Sequence, residues 1–484
     1  MTGKTAPRHL VVVMGGTGDL MRRKLLPALW HLISGGLLSE SSIVMAVGRR
    51  TSFDDESYRA WVREALANAS LISDMPAFWC DDCLYYHALG EGTPDDYQGL
   101  AQRIEEIERH HDLPGNRIFY LALPPRTFVS AVENLGKIGL NESPGWTRIV
   151  CEKPFGHDYD SAVQLNRHIH RYFDESQTYR IDHYLGKETV QNLLAFRFAN
   201  TIFESVWNRQ HVGSVEIIVA ESIGVDGRGE FYDQTGAFRD MVQNHLSQLL
   251  TLTAMEVPPS LQADVIRDEK VKVLRSVSPV SPDDIELGQY AEGLVDGEPV
   301  GGYLDEPGVT SDSTTETFVA MRVNVANSRW QGIPFLLRTG KRMPERTTQI
   351  SINFRCPVLA MFHSREGAEV HANALVLTLQ PDEGFDLRFE VKIPGEGLRL
   401  QTQSLSFKYA DVFERLPDAY ETLLLDIITG DQTLFVRADE VEESWRLYTP
   451  LLEALPAPHP YAAGTLGPSQ ASRLMVPRGA SCPI

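Results

Sequence analysis

A run of apolar residues passes directly into a glycine-rich turn near the start of the chain. The run covers residues 10–14, the turn at 15–18 reads Gly-Gly-Thr-Gly, and leucines then recur at helical spacing. This order predicts a strand, a tight turn and a helix. Glycines let a dinucleotide pyrophosphate approach the backbone, and the positive end of the following helix faces its charge. A glycine-rich turn without a ligand is the competing interpretation of this motif alone.

Strands and helical stretches alternate through the first third of the chain. Further apolar runs cover residues 43–47, 117–123 and 148–152, and each one ends at glycine, proline or a basic residue. Such alternation predicts a parallel sheet with right-handed crossovers. We therefore expect an α/β, Rossmann-like doubly wound domain over residues 1–182.

The sequence pattern changes after an amphipathic stretch at residues 187–206. Runs at 215–220, 316–323, 349–354 and 375–380 alternate with period two and have few helical stretches between them. This pattern favours antiparallel pairing. It predicts a large α+β second domain, residues 183–484, with a mainly antiparallel sheet.

One acidic segment interrupts this pattern. Residues 277–321 are rich in Pro, Gly, Asp and Glu and contain no Lys or Arg. Such a composition is typical of a long solvated loop, which is the structure predicted there.

Basic residues follow the second apolar run. NAD-preferring folds have an acid at this point to bind the ribose 2′-hydroxyl, whereas an arginine accommodates a 2′-phosphate. This chain has Arg49 and Arg50 there and no acid until Asp54, and residues 22–24 are also basic. The pattern favours NADP over NAD, with solvent-exposed surface arginines as the alternative.

Charge and cysteine content exclude other classes of protein. The 45 Lys and Arg against 65 Asp and Glu give a formal net charge of −20, which weighs against a nucleic-acid or anionic-membrane partner. Five scattered cysteines are not typical of a secreted disulfide framework, so we expect a cytoplasmic protein. Cys80 and Cys83 lack the second pair that a closed zinc site needs, and no metal is expected.

Residues 180–188 read Arg-Ile-Asp-His-Tyr-Leu-Gly-Lys-Glu and combine an acid, an imidazole, a phenol and an ammonium. Gly186 makes a continuous helix through them unfavourable. We therefore expect His183, Tyr184 and Lys187 to converge at a helix N-terminus, which is a good seat for a phosphate dianion. A capped helix with a surface ion pair is the other interpretation.

This segment is also the signature of a known family. The chain resembles the glucose-6-phosphate dehydrogenases, whose RIDHYLGKE motif stands intact at 180–188. The resemblance implies NADP-dependent oxidation of D-glucose 6-phosphate to 6-phospho-D-glucono-1,5-lactone, the first step of the oxidative pentose phosphate pathway, by a homodimer or homotetramer. It covers nearly the whole chain through further motifs: GGTGDL at 15–20, EKPFG at 152–156, GRGEFYD at 227–233, RDMVQNHL at 239–246 and GK at 340–341.

The resemblance also implies a role for each residue of the matching motifs. His245 corresponds to the general base, and Asp182 to the carboxylate that pairs with it. The implied substrate contacts are Lys153, His183, Tyr184, Lys187, Glu221, Asp240 and Lys341. The implied coenzyme contacts are Gly15, Gly16, Thr17, Gly18, Asp19, Leu20, Lys24, Arg49 and Lys153.

Three positions of the matching motifs carry further expectations. Pro154 matches a proline expected to follow a cis peptide bond. Met21 stands where the family commonly has Ala, which bears on the packing of the first helix. Arg342 has no assigned role.

The chemistry of the implied reaction agrees with these residue types. Oxidation of a hemiacetal at C1 needs one positioned base for the O1 proton, and histidine, with an ordinary pKa of about 6.5, suits that task. From its pattern alone, His245 is instead a core histidine of an α-helix, with Asp240 about 140° away around the axis. A non-catalytic NADP-binding sensor or assembly partner on the same fold is the alternative function.

Overall fold

The computed structural model describes residues 6–39, 42–49, 51, 53–71, 77–357, 370–395 and 399–474. Arg50, one of the two arginines after the second apolar run that favour NADP, lies outside the described residues. The chain divides into two compact units. The first unit comprises Met1–Lys187, Ser260–Arg267 and Pro417–Glu442, and the second comprises Glu188–Pro259, Asp268–Leu416 and Glu443–Ile484.

The first unit contains a seven-stranded sheet. Numbered in chain order, its strands are β1 Leu10–Met14, β2 Ile43–Gly48, β3 Leu84–Ala88, β4 Arg117–Leu121, β5 Thr147–Cys151, β6 Thr178–Ile181 and β17 Phe435–Val436. Their order is β17-β6-β5-β4-β1-β2-β3, and all pairs are parallel except β17 with β6. The predicted Rossmann-like sheet is confirmed.

Helices connect the parallel strands of the first unit. They are α1 Leu26–Ser34, α2 Asp55–Asn68, α3 Ala77–Asp82, α4 Pro94–His110, α5 Pro125–Lys137 and α6 Tyr159–His170, joined late in the chain by α12 Ala419–Thr429. The segment that supplies α12 and β17 lies far beyond β6 in the chain, at residues 419–436, and no sequence motif marks its return. The contiguous division at residue 182 therefore did not include it.

The carboxyl ends of the parallel strands meet at one edge of the sheet, where α/β folds bind their ligands. The glycine turn follows β1, Arg49 follows β2, Lys153 follows β5 and Asp182 follows β6. The topology thus places four predicted site segments of the first unit along one edge.

The second unit contains a nine-stranded sheet. Its strands are β7 Val212–Ala220, β8 Ile285–Ala291, β11 Phe318–Asn324, β12 Pro334–Gly340, β13 Thr347–Phe354, β14 Ala374–Gln380, β15 Gly384–Lys392, β16 Leu400–Lys408 and β18 His459–Ala462. They run in the order β16-β15-β14-β13-β7-β12-β11-β8-β18. Among the strand pairs of this sheet in the described part of the chain, only β7–β12 and β8–β18 are parallel, so the prediction of a mainly antiparallel sheet is confirmed.

Most helices of the second unit lie in one stretch of chain. They are α7 Glu188–Phe198, α8 Thr201–Glu204, α9 Gly229–Ala237, a π-helix over Phe238–Leu246 and α10 Ser247–Ala254. The helices α11 Ala263–Ser276 and α13 Ala438–Leu452 each contain a boundary between the units. No helix in the described ranges combines the length and the apolar character that a membrane crossing requires.

The acidic segment 277–321 is not a solvated loop, and that prediction was wrong. It contains β8 and a hairpin of β9 Gly293–Val295 with β10 Glu298–Val300, and both Tyr290 and Tyr303 are buried. Its acids have partners inside and outside the segment: Glu306 accepts a hydrogen bond from Tyr290 Oη at 2.9 Å and pairs with Arg342. The lack of Lys and Arg inside the segment therefore did not indicate exposure.

Buried donors hold the end of α10. An α-helix leaves its last carbonyls without intrahelical partners. Here Arg197 donates to the carbonyls of residues 252 and 255, Trp207 Nε1 to that of Thr253, and Trp330 Nε1 to that of Ala254. All three donor side chains are fully buried.

Trp330→Phe tests this anchoring. The change leaves the Ala254 carbonyl without its donor, so we expect the free energy of unfolding to fall by about 1–3 kcal/mol beyond the loss of packing. Urea unfolding measures it. Trp30→Phe is the matched control, because the buried Trp30 Nε1 has no hydrogen-bond partner among the described residues. Equal losses in both variants would contradict the expected contribution of the bond.

Candidate active site

The packing of the glycine-rich turn at residues 15–18 requires glycine at two of its positions. Gly15 has a φ of +88°, and a Cβ there would overlap Ala122 O. A Cβ at Gly16 would overlap Ala46. Gly18 is different, because among the described residues a Cβ there would have only Gly15 O within 4 Å, at 3.1 Å. The turn therefore has open space at Gly18, beside the start of the helix.

The helix after the turn begins irregularly. Asp19 and Leu20 are helical, and Met21–Leu25 form a π-helical segment in which the Met21 side chain is fully buried. The large residue at the third motif position thus packs inside a wider helical turn. The first backbone N–H groups of such a helix have no intrahelical acceptor and attract anions.

The basic residues beside the turn differ in their surroundings. Arg49 is exposed at the end of β2. Lys24 Nζ is 2.9 Å from Asp418, the residue that caps α12, and 6.0 Å from the Tyr420 ring. A coenzyme phosphate would compete with Asp418 for Lys24.

A partly buried carboxyl group precedes Lys153. Glu152 Oε1 accepts hydrogen bonds from Tyr120 Oη at 2.6 Å and Tyr420 Oη at 3.3 Å, and desolvation raises the pKa of Glu152. The peptide bond between Lys153 and Pro154 is cis, as predicted. Sequence reasoning missed Glu152 because one of its partners, Tyr420, lies far along the chain.

Residues 182–187 form a turn after β6, as Gly186 predicts. Asp182 is buried, its Oδ1 accepts the Tyr184 N–H at 3.0 Å, and the Lys187 N–H bonds to Tyr184 O at 3.2 Å. A Cβ at Gly186 would be 2.6 Å from Ala419 O, so the turn needs glycine there. The chain becomes helical again at Glu188.

The turn brings three predicted phosphate-binding side chains together. Lys187 Nζ is 4.2 Å from the centre of the Tyr184 ring, and the His183 and Tyr184 ring centres are 5.0 Å apart. An ammonium, an imidazole and a phenol within one turn form the donor set that a phosphate dianion requires.

An ion pair between a buried lysine and a partly exposed glutamate lies where β7 and β12 end in the second unit. Lys341 Nζ is 2.7 Å from Glu221 Oε2, and the Lys341 side chain is 3% exposed. The backbone fixes the pair, because the Glu221 N–H donates to Gly340 O and Glu221 O accepts the Met343 N–H, both at 2.9 Å. These two predicted substrate residues therefore form a rigid unit.

Arg342 has a structural place in the same turn. Its φ is +50°, its N–H donates to Ile223 O at 3.1 Å, and its guanidinium lies 3.5 Å from Glu306. These contacts hold the backbone next to Lys341.

Asp240 and His245 lie in the π-helix, not in an α-helix. The N–H of Ser247 bonds to Val242 O, five residues back, as π geometry requires. In such a helix residues five apart come back to nearly the same direction, so Asp240 and His245 lie towards the same side. The expected separation of about 140° assumed α geometry and was wrong. Apolar spacing along this segment fits both helix types and does not distinguish them.

Tyr232 is a further buried group that the sequence reasoning missed. Its ring centre is 5.1 Å from Lys341 Nζ, and its hydroxyl has no hydrogen-bond partner among the described residues. Burial raises the pKa of Tyr232 well above its ordinary value, and the nearby charges of Asp240, Glu316 and Glu221 add to the shift. The phenol is therefore neutral next to the ion pair.

Comparisons with known proteins agree on one family. The family model described as "Glucose-6-phosphate dehydrogenase, NAD binding domain" matches residues 12–192, and "Glucose-6-phosphate dehydrogenase, C-terminal domain" matches residues 194–482. The glucose-6-phosphate 1-dehydrogenase of Aggregatibacter actinomycetemcomitans is 44% identical over 97% of this chain and 96% of its own. That of Bacillus subtilis is 40% identical, over 98% of both chains.

Solved structures give the same result. One described as "Glucose-6-phosphate dehydrogenase in complex with its substrate glucose-6-phosphate" matches with a TM-score of 0.90 and 36% identity, over 98% of both chains. A glucose-6-phosphate 1-dehydrogenase from Mycobacterium avium matches with a TM-score of 0.82 and 34% identity, over 97% of both.

Glu221→Gln tests the ion pair in the second unit. The variant leaves the buried ammonium of Lys341 without its counter-charge, so we expect the free energy of unfolding to fall by about 1–3 kcal/mol. Urea unfolding of Glu221→Gln, Lys341→Met and the double variant measures the coupling between the two side chains. Single losses that add to within about 0.5 kcal/mol in the double variant would contradict a direct interaction.

Proposed function

This chain belongs to the glucose-6-phosphate dehydrogenase family, and from that membership we propose roles for its individual residues. The protein is an enzyme that oxidises D-glucose 6-phosphate to 6-phospho-D-glucono-1,5-lactone with NADP and forms NADPH, the first step of the oxidative pentose phosphate pathway. The observation that carries the residue roles is the turn 182–187, whose imidazole, phenol and ammonium suit a sugar phosphate.

The turn after β1 fits a coenzyme pyrophosphate. Gly18 leaves room beside a helix start whose N–H groups attract anions, and Asp19 and Leu20 begin that helix. Residues 15–20 therefore hold the pyrophosphate in this proposal, with Lys24 and Lys153 beside it. The exposed Arg49 binds the 2′-phosphate. When bound, NADP supplies the acceptor for the hydride that leaves C1 of the sugar.

Charged and polar groups hold the substrate at both ends. His183, Tyr184 and Lys187 bind its phosphate. Lys153, Glu221, Asp240 and Lys341 contact the hydroxyls or the reacting end. Because each site group left unpaired by a wrong sugar costs about 1–3 kcal/mol, such contacts also give specificity.

His245 takes the O1 proton as the general base. A neutral imidazole has the free lone pair that a general base needs, and histidine is the side chain most often used for such proton transfer. The side chain is 1% exposed, which keeps water from competing for the same proton transfer. Asp182 keeps the role that the resemblance implies, a carboxylate that stabilises the imidazolium formed.

The proposal also assigns roles to the two parts of the chain, an oligomeric state and a location. Residues 1–182 bind the coenzyme, and residues 183–484 bind substrate and dimerise. A homodimer or homotetramer is supported by the outer strand β16, which is exposed over most of its length, with Leu405 61% exposed. A cytoplasmic location is proposed because Cys80, Cys83 and Cys151 are free thiols, which is typical of a reducing compartment. Cys356, in contrast, is disulfide-bonded.

His245→Asn tests the base. We expect kcat with glucose 6-phosphate to fall by about 10²-fold or more, because the amide cannot take the proton, while the KM changes little. The rate of NADPH formation, followed by its absorbance, measures both. His9→Asn is the matched control, since His9 is also buried but lies outside the predicted site. Near-wild-type turnover of His245→Asn would refute the mechanism, and a wild type without turnover would favour the non-catalytic alternative.

Arg49→Ala tests coenzyme selectivity. Loss of the guanidinium should raise the KM for NADP about tenfold, a loss of ~1.4 kcal/mol of binding, and leave that for NAD nearly unchanged. Initial rates with each coenzyme measure the ratio. Arg171→Ala removes the same charge from another exposed position of the first unit. An unchanged NADP-to-NAD ratio in Arg49→Ala would count against the assignment.

A further inference from the structure

The helix that carries Asp240 and His245 starts at a kink. Gly236 has φ +70° and ψ 169°, so the chain leaves helical geometry there, and the π-helix begins at Phe238. Glycine adopts this conformation without the strain that other residues meet. The direction of the π-helix is therefore set by what holds residues 236–238.

Glu316 holds this kink through both its side chain and its backbone. Its Oε1 accepts the Phe238 N–H at 2.9 Å, and its backbone oxygen accepts the Ala237 N–H at 2.9 Å. A Cβ at Gly236 would overlap the same carboxylate. The carboxylate thus occupies the space that a side chain at 236 would need, and it supplies an acceptor to the first N–H of the helix.

Glu316 is itself anchored to the sheet that carries Lys341. The next residue, Thr317, donates its N–H to Gly288 O at 2.8 Å and accepts the Lys341 N–H on its backbone oxygen at 2.9 Å. Glu316 is 7% exposed. One short segment therefore connects the backbone of Lys341 to the start of the helix that carries Asp240 and His245.

We propose that Glu316 is a positioning residue, whose carboxylate fixes the start of the π-helix and so keeps Asp240 and His245 in place relative to Lys341. The proposal rests on the proposed function. A π-helix is rare and short, and it depends on its surroundings. If the segment relaxed to α geometry, Asp240 and His245 would separate by about 140° around the axis.

The test uses variants of the full chain in which a buried glutamate that accepts an N–H at the start of a helix is replaced. Glu316→Ala removes the acceptor, and Glu316→Gln keeps a neutral one. Glu440→Ala is the matched control, because the buried Glu440 Oε1 accepts the Arg437 N–H at 3.0 Å at the start of α13, which carries no predicted site residue. Two readouts are taken: steady-state kinetics, and amide hydrogen exchange of peptides covering residues 238–246.

We expect Glu316→Ala to lower kcat for glucose 6-phosphate about 10- to 100-fold, as misplaced catalytic groups do, with the KM for NADP unchanged. Exchange over residues 238–246 should become faster. Glu316→Gln should recover most of the kcat and most of the slow exchange, and Glu440→Ala should keep the wild-type kcat. If Glu316→Ala does not fold, Glu316→Asp replaces it, because the shorter side chain withdraws the acceptor while keeping the charge.

Two results for kcat would overturn the proposal, as would unchanged amide exchange in Glu316→Ala. One is a wild-type kcat in folded Glu316→Ala, or in Glu316→Asp where that replaces it, although amide exchange over residues 238–246 is faster. The other is an equal loss of kcat in Glu316→Ala and Glu440→Ala, which would indicate general damage. If the wild-type protein does not oxidise glucose 6-phosphate, the proposed function is rejected instead. Even then, unchanged amide exchange in Glu316→Ala would contradict the role of Glu316 in fixing the start of the π-helix.

Discussion

The helical segment from Phe238 to Ala254 depends on hydrogen bonds from buried side chains that lie outside it. Arg197, Trp207 and Trp330 satisfy its last carbonyls, and Glu316 accepts its first N–H. A helix held at both ends cannot rotate or slide without breaking buried hydrogen bonds, each of which is costly to leave unmade. The positions of Asp240 and His245 within it are therefore properties of the whole second unit.

Much of this arrangement could be predicted from local patterns, and the rest depends on partners that are distant in sequence. The strand, turn and helix at residues 10–34 and the turn at Gly186 follow from residue types alone. The π-helix could not be predicted, because the apolar spacing around His245 also fits an α-helix. The segment 277–321 was mistaken for a loop because Arg342, the partner of Glu306, lies outside it. Glu152 was missed because Tyr420 lies 268 residues away.

The net charge of −20 is compatible with phosphorylated ligands because charge is unevenly distributed. Residues 1–50 carry seven Lys and Arg and two acids, around the turn proposed for the coenzyme. At the residues proposed to bind substrate, single cations are placed against specific neighbours: Lys187 against the Tyr184 ring and Lys341 against Glu221. A small anion responds to the charge within about a Debye length, roughly 8–10 Å, and not to the formal total.

Buried polar groups such as Lys341, Glu316 and Tyr232 are unfavourable for folding when considered one by one. They persist because the surrounding side chains determine their positions. Tyr232 belongs to a buried apolar cluster with Tyr290, Tyr303, Phe318 and other residues at the ends of β7, β8 and β11. Burying this cluster favours the fold, and the polar groups at its border gain fixed positions from it. Burial of these polar groups therefore costs free energy of folding, but it also gives the proposed catalytic residues a rigid, water-poor environment.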